Sequence, residues 1–196
     1  IWGGGRTSFG EADPQKVLAL MQEYKISARL TFSNSLLREE HLQDQKCNAL
    51  CALFEENKGV QNGVIIHSDL LLDYLQKKYP ELYLVSSTTK VLTNFREFLE
   101  ETDREEFCYI VPDFRFNKRF EQLNQMNAQQ KAKVEFLCNE CCWFGCKDRK
   151  VCYETVSRKN LGEDCREHIC TAPGAEDGYL FSKAMTNPGF ISVEDI

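Results

Sequence analysis

The sequence predicts an α/β protein whose parallel strands form an incomplete (β/α) barrel of the TIM-barrel type. Short apolar segments alternate with longer amphipathic segments along the chain, which is the pattern of consecutive β-α-β units. The short segments are continuous runs of Val, Ile and Leu, as at residues 64–66, and such runs are typical of strands buried on both faces. About six of the eight strands of a complete barrel can be recognised. An open flavodoxin-like sheet is the alternative.

The predicted elements follow in chain order. The opening Ile1-Trp2 stands where an initiator Met is expected and indicates a start inside a first strand. Asp13 and Pro14 begin a helix that ends near residue 24, because Asp is a favoured N-cap and Pro fits the first helical turn. Further strands are predicted at residues 29–34, 63–67, 82–86, 107–111 and 133–137. Helices are predicted from the spacing of apolar residues at 36–57, 69–79, 90–101 and 118–131.

Polar residues follow each of these predicted strands. In a (β/α) barrel the carboxyl ends of all strands converge on one rim, where active sites form. Ser68, Asp69 and Thr88 are explained as caps of the helices that follow them. Arg115 and Glu140 are poor caps, so we assign these two side chains to a site on the rim.

Composition and charge limit the classes of function. The net charge is −6, with 30 acidic against 24 basic residues, which gives no clear footprint for DNA. No apolar segment approaches the ~20 residues of a membrane span, and no signal peptide is recognised. We therefore expect a cytoplasmic protein that does not bind membranes. In such a compartment clustered thiols indicate metal binding or catalysis more than a disulfide framework.

Seven of the ten cysteines lie between residues 138 and 170, directly after the last predicted strand. This grouping predicts three parts of the chain. Residues 1–137 are a barrel portion, residues 138–170 a cysteine-rich loop that binds a metal or cluster, and residues 171–196 a return segment toward the last strands of a barrel.

The spacing of the cysteines predicts a set of metal ligands. Thiolates favour zinc, copper(I) and iron–sulfur clusters, and four of them close either a zinc site or a cubane cluster. The proposed ligands are Cys142, Cys146, Cys152 and Cys170. The spare thiols are Cys138, Cys141 and Cys165. An iron–sulfur cluster is the favoured occupant, with zinc and a metal-free loop as the alternatives.

The cysteine-rich region also resembles a known family. The segment Asn139-Glu-Cys-Cys142-x3-Cys146-x2-Arg149-x2-Cys152, the later His168-x-Cys170, and residues 187–196 resemble the collagenase-like peptidase family of TIM-barrel proteins. The similarity is greater to relatives from anaerobic bacteria and covers roughly residues 60–196. This chain has Lys147 and Val193 where those relatives have proline, and Cys152 where they often have His.

The resemblance implies a TIM barrel that holds a [4Fe–4S] cluster through four cysteines. It also implies a role such as oxygen-independent hydroxylation, with RNA or a small molecule as the substrate. The proposed catalytic residues are Glu140, Arg115 and Lys90. The proposed substrate-binding residues are Arg149, Asn117 and Asn34.

Two other functions remain open from the sequence. The chain could be a non-catalytic barrel whose structural zinc loop binds a partner, or a peptidase as the family name suggests. No Ser/His/Asp constellation and no His-Glu-x-x-His motif supports a peptidase. His67 ends a buried strand, and we expect it to be a core residue with a hydrogen-bond partner rather than a base.

Overall fold

A computed structural model describes residues 1–5, 13–56, 59–175 and 182–195 of this chain. Its sheet has four strands in the order β1-β2-β3-β4, and every neighbouring pair is parallel. The strands are β1 (Arg29–Phe32), β2 (Gly63–Ile66), β3 (Tyr83–Ser86) and β4 (Phe107–Ile110). Because spatial order follows chain order, the sheet is of the barrel type. A flavodoxin-like sheet would reverse its order at a switch point. The predicted fold class is confirmed.

Helices connect and follow these strands. They are α1 (Pro14–Glu23), α2 (Gln45–Glu55), α3 (Asp69–Lys78), α4 (Phe95–Thr102), α5 (Phe120–Leu123), α6 (Ala128–Ala132), α7 (Arg149–Asn160) and α8 (Ser182–Met185). Single 3-10 turns lie at Glu39–Gln43, Thr88–Lys90, Phe114–Phe116 and Val193–Asp195. No helix within the described ranges combines the length and apolarity that crossing a bilayer requires.

Three predicted helices differ from the structure in the same way, since two are divided and the one at 90–101 begins only at Phe95. The predictions at residues 36–57, 90–101 and 118–131 treated each range as one helix. In the structure an internal side chain accepts a backbone N–H and starts the helix that follows: Asp44 before α2, Asn94 before α4 and Asn127 before α6. Asp and Asn compete for backbone hydrogen bonds inside a helix and favour its N-cap instead.

The first and the last predicted strands are not regular strands in the structure, and each contacts the edge of the sheet at a single position. At one edge Val134 forms an isolated parallel bridge with Ile110, so residues 133–137 are not a regular strand. The carbonyl of Leu137 accepts a hydrogen bond from the side chain of Asn117 instead of from the sheet. At the other edge, the N–H of Asn34 donates to the carbonyl of Trp2 at 2.9 Å, but residues 1–5 form no strand.

The hydrophobic core lies between one face of the sheet and the helices. It includes Leu30, Val64, Leu84 and Phe107, which share one row across the four strands. Alternation of side chains places the intervening residues on the opposite face. There the Arg29 guanidinium lies 5.2 Å from the ring centre of Tyr83 and 4.9 Å from that of Tyr109.

Helix α7 lies within the segment that the sequence predicted to be a loop. It crosses the carboxyl ends of the strands. Near its C-terminus the carbonyl of Ser157 accepts a hydrogen bond from Asn34, the second residue after β1. At its N-terminus Arg149 forms an ion pair with Asp113, which follows β4. The return segment then joins this end of the sheet, since the N–H of Ile191 donates to the carbonyl of Cys138. Residues 176–181 and 196 of that segment lie outside the described ranges.

Candidate functional site

The segment from residue 138 to 148, here called the cysteine turn, is held in place by side chains from two directions. The Cys142 N–H donates to Glu140 Oε1 at 2.9 Å. From the return segment, Asn187 Nδ2 donates to the carbonyls of Glu140 at 3.1 Å and Cys142 at 2.7 Å. These contacts satisfy backbone groups that a turn leaves without partners in secondary structure. The position of Cys142 is therefore set by tertiary contacts.

Two of the predicted metal ligands are neighbours in this turn. The thiols of Cys142 and Cys146 lie close enough to affect each other electrostatically, and the backbone N–H of Asp148 acts on the Cys146 thiol as well. Burial raises the pKa of the Cys146 thiol; the Asp148 N–H opposes this shift, and the adjacent Cys142 adds to it. A raised pKa favours the protonated Cys146 thiol, and binding a metal there would release its proton.

The other two predicted ligands lie apart from this pair. Cys152 is in the first turn of α7 and half-buried, whereas Cys170 lies beyond α7 and is exposed. Within the described ranges, no three His, Cys, Asp or Glu side chains form a group that could hold a metal ion. The donor chemistry of Cys142 and Cys146 suits a thiolate-bound metal. The four-thiolate cage of a cubane cluster is not assembled from these residues.

The spare thiols contact backbone carbonyls in their own neighbourhoods. Cys138 contacts the carbonyl of Phe136, Cys141 that of Asn139, and Cys165 that of Thr155, at 3.7 to 3.8 Å. Sulfur is a weak donor, so these contacts leave the thiols chemically available.

A chain of alternating charges connects the cysteine turn to the end of β4. Its members, here called the charge chain, are Arg115, Asp113, Arg149 and Glu140. Asp113 Oδ1 accepts from Arg115 Nε at 2.7 Å, and Asp113 Oδ2 lies 3.5 Å from Arg149 Nε. Arg149 Nη2 donates to Glu140 Oε2 at 2.7 Å. The structure thus brings three predicted site residues together through Asp113, which the sequence analysis did not select.

Arg149 is the buried centre of this charge chain. Its side chain is 1% exposed, and its guanidinium lies 4.8 Å from the ring centre of Phe114 and 5.2 Å from that of Tyr153. Burial lowers the pKa of Arg149, but Tyr153 and Glu140 raise it by more, so the group stays charged. Its Nε and Nη1 atoms have no hydrogen-bond partner among the described residues. Arg149 therefore lies in the interior, beneath the surface on which a substrate would first bind.

The other three predicted site residues are anchored separately. Lys90 forms an ion pair with Glu101 and lies 4.8 Å from the ring centre of Phe107. Asn34 donates to the carbonyls of Ile1 and Ser157, and is fully buried. Asn117 donates to the carbonyls of Leu137 at 2.8 Å and Gly189 at 2.7 Å. The two asparagines thus attach α7 and the return segment to the strand ends.

A second polar group at the strand ends was only partly predicted. His67 Nδ1 lies 3.0 Å from Thr89 Oγ1, so this ring has the hydrogen-bond partner that we expected. Burial, together with the nearby Lys90 and Lys150, lowers the pKa of His67 to about 4. Nothing in the sequence marked Thr89 beyond its place after a strand, or Asn187 beyond its place before a Pro-Gly turn.

Comparisons with known proteins identify the fold alone. No protein-family model and no curated protein matches this chain. The chain is similar in structure to a protein described as the U32 peptidase Mk0906, with a TM-score of 0.57 and 15% sequence identity. The similarity covers 78% of this chain and 62% of that chain, so it spans less than two thirds of the length of the neighbour. U32 is the collagenase-like peptidase family that the cysteine motif resembles. The barrel-type architecture is shared, whereas an identity this low carries no activity across.

Proposed function

We propose that this chain is an enzyme of the partial-barrel type that binds a metal through thiolates of the cysteine turn, with an iron–sulfur cluster as the occupant. The observation that carries the proposal is the neighbouring pair Cys142 and Cys146, fixed at the carboxyl end of a parallel sheet. This is the end at which barrel enzymes perform their chemistry.

Two features beside the pair would support a bound metal. The backbone N–H of Asp148, directly before α7 begins, acts to lower the pKa of Cys146, and the N-terminus of a helix stabilises negative charge. The ring of Phe144 packs edge-on against Phe114 with centres 5.8 Å apart, which covers one side of the turn with apolar surface. Partial exclusion of water tunes the potential of a bound cluster.

The residues of the chain divide into ligands and supports. Cys142 and Cys146 would hold the metal, and we propose Cys152 and Cys170 as the remaining ligands. A cluster bound there supplies one-electron redox chemistry. Glu140 and Arg149 orient the turn through the charge chain. We keep Glu140 as the proposed acid or base, because its carboxylate joins the backbone of Cys142 to the buried cation.

The charge distribution favours a small molecule over RNA as the substrate. The exposed cations near the end of α7 are paired with carboxylates: Arg158 with Glu163 and Lys159 with Glu167. Paired cations offer little to a phosphate backbone, whose binding depends on displacing counterions with unpaired Lys and Arg.

A peptidase is the second candidate, because the structural neighbour is described as a U32 peptidase. A peptidase without a metal cofactor would keep its activity after chelation. A structural zinc loop is the third candidate, because two adjacent thiols suit zinc as well as iron.

Metal analysis of anaerobically purified protein separates these candidates. We expect iron and acid-labile sulfide together with visible charge-transfer absorption, all lost in Cys142→Ser and Cys146→Ser. Cys138→Ser is the matched control, since this thiol lies in the same turn but outside the proposed ligand set, and it should retain iron. Colourless protein with stoichiometric zinc would establish the zinc loop. Peptide hydrolysis that survives chelation would establish the peptidase, and protein that binds neither metal would refute the proposal.

A further inference from the structure

A layer of polar side chains lies one residue beyond the hydrogen-bonded ends of three strands. Phe32, Ile66 and Ser86 form one row across the sheet. The next residues along the chain are Ser33, His67 and Ser87. Because side chains alternate between faces, these three point away from the helix-packed core. We propose that this strand-end layer, with Thr89 and Lys150, binds the anionic oxygen group of a substrate, a phosphate or a carboxylate.

Thr89 connects the members of the layer. Its Oγ1 lies 3.0 Å from His67 Nδ1, 2.9 Å from Ser87 Oγ and 3.4 Å from the carbonyl of Ser33. The one hydroxyl proton of Thr89 is donated to the Ser33 carbonyl or to Ser87 Oγ, and in either case Thr89 Oγ1 accepts from His67 Nδ1–H. This assignment of the tautomer leaves His67 Nε2 with a lone pair. When an anion and a proton bind together, the proton occupies Nε2. The charged ring then donates a hydrogen bond from Nε2–H to the anion.

The layer contains a donor that the fold leaves unused. Ser33 is 1% exposed, and its Oγ has no hydrogen-bond partner among the described residues. A buried hydroxyl without a partner costs free energy, and native proteins rarely leave one so. An oxygen of a bound anion would accept this hydrogen bond.

One of the charged residues around His67 has no ion-pair partner among the described residues. Four charged residues act on its ring: Lys90, Lys150, Asp69 and Glu101. Glu101 is paired with Lys90, and Asp69 with Arg104. Lys150 is exposed, and in the described part of the chain no ion pair joins it to a carboxylate. Lys150, on α7, can therefore attract an anion to the strand-end layer. Because it is exposed, its replacement should leave the hydrophobic core unchanged.

NMR of the three histidine rings in the full chain tests this proposal. Phosphate or acetate is added to metal-free protein at constant ionic strength, across pH values from 4 to 6.5. We expect one of the two anions to shift the His67 signals saturably and to raise its pKa, because binding favours the protonated ring. His41 and His168 should not respond. Saturation by phosphate alone identifies a phosphate group, and saturation by acetate alone identifies a carboxylate.

Variants with matched charge changes separate a site from general screening. Lys150→Ala should weaken anion binding about tenfold, as expected for one charge-assisted hydrogen bond. Lys147→Ala removes the same charge from an exposed residue three positions earlier and should leave binding unchanged. Equal loss in both variants, or no saturation by either anion, overturns the proposal. The layer shares the rim with the proposed metal site but needs no metal, so failure of either proposal can be recognised without the other.

Discussion

Replacement of Arg149 by methionine tests whether the charge chain holds the cysteine turn. Methionine keeps much of the side-chain length and apolar volume but removes the positive charge between Asp113 and Glu140. These two carboxylates are 0% and 8% exposed, so each would lose a cation where water cannot replace it. Removing one partner of a buried ion pair typically costs about 3–5 kcal/mol.

Three considerations set the magnitude within that range. Asp113 keeps Arg115, whose Nε donates to it at 2.7 Å, so its charge stays partly compensated. Glu140 keeps the hydrogen bond from the Cys142 N–H but loses the cation beside its carboxylate. Methionine also cannot replace the ring contacts of the guanidinium with Phe114 and Tyr153. We therefore expect a loss of about 3 kcal/mol in the free energy of unfolding.

Urea denaturation with a fluorescence readout measures this loss as a lower midpoint at unchanged slope. Arg158→Met is the control, because this arginine is 49% exposed and pairs with Glu163 on the surface. Such surface pairs contribute roughly 0–1 kcal/mol. A double-mutant cycle with Glu140→Gln isolates the pairwise coupling. If Arg149→Met and Arg158→Met lose equally little stability, the charge chain does not hold the turn.

Three further predictions concern other contacts. Gly4→Ala should destabilise the fold by about 1–3 kcal/mol, because a Cβ would lie 2.2 Å from the Ser33 carbonyl oxygen. Gly3→Ala, with 3.6 Å to its nearest atom, should be tolerated in the same thermal melt. Asn187→Ala should raise the rate of thiol alkylation in the cysteine turn, which mass spectrometry can locate; an unchanged rate would contradict its anchoring role. His67 has a pKa of about 4 in the folded chain against 6.5 as its ordinary value. The stability that the neutral His67 ring contributes to the folded state is therefore fully present above pH 6.5 and is lost as the pH falls toward 4. Between pH 6.5 and pH 4 the free energy of unfolding of the wild type should fall by about 3 kcal/mol more than that of His67→Gln. If the free energies of unfolding of the two proteins change in parallel with pH, this prediction is wrong.

Local signals in the sequence were sufficient for most of the fold. Apolar runs predicted all four strands of the sheet, because burial on both faces requires a continuous apolar segment. The caps Asp13 and Ser68 lie where the sequence placed them, since capping involves only neighbouring residues. The sequence also selected Arg115, Glu140 and Arg149, which the structure joins in one charge chain. It did not show that Asp113 links them.

Helix α7 shows why local signals failed elsewhere. Its buried residues are Arg149, Tyr153 and Ser157, which have helical spacing but include a charged and a polar side chain. A search for apolar periodicity cannot detect such a face. Its partner Asn34 is 123 residues distant from Ser157 in the chain, so only the folded structure shows what this polar face contacts.

The sequence by itself determined a parallel sheet of the barrel type, followed by a segment rich in thiols. Only the tertiary structure decided which side chains meet at the strand ends. Strand register aligns Ser33 with His67 and Ser87, and the contacts of Asn187 place Cys142. The physical reason is the range of the forces involved. Apolar runs and caps act within a few residues, whereas a site depends on distances between residues that only the packing of the whole chain brings together.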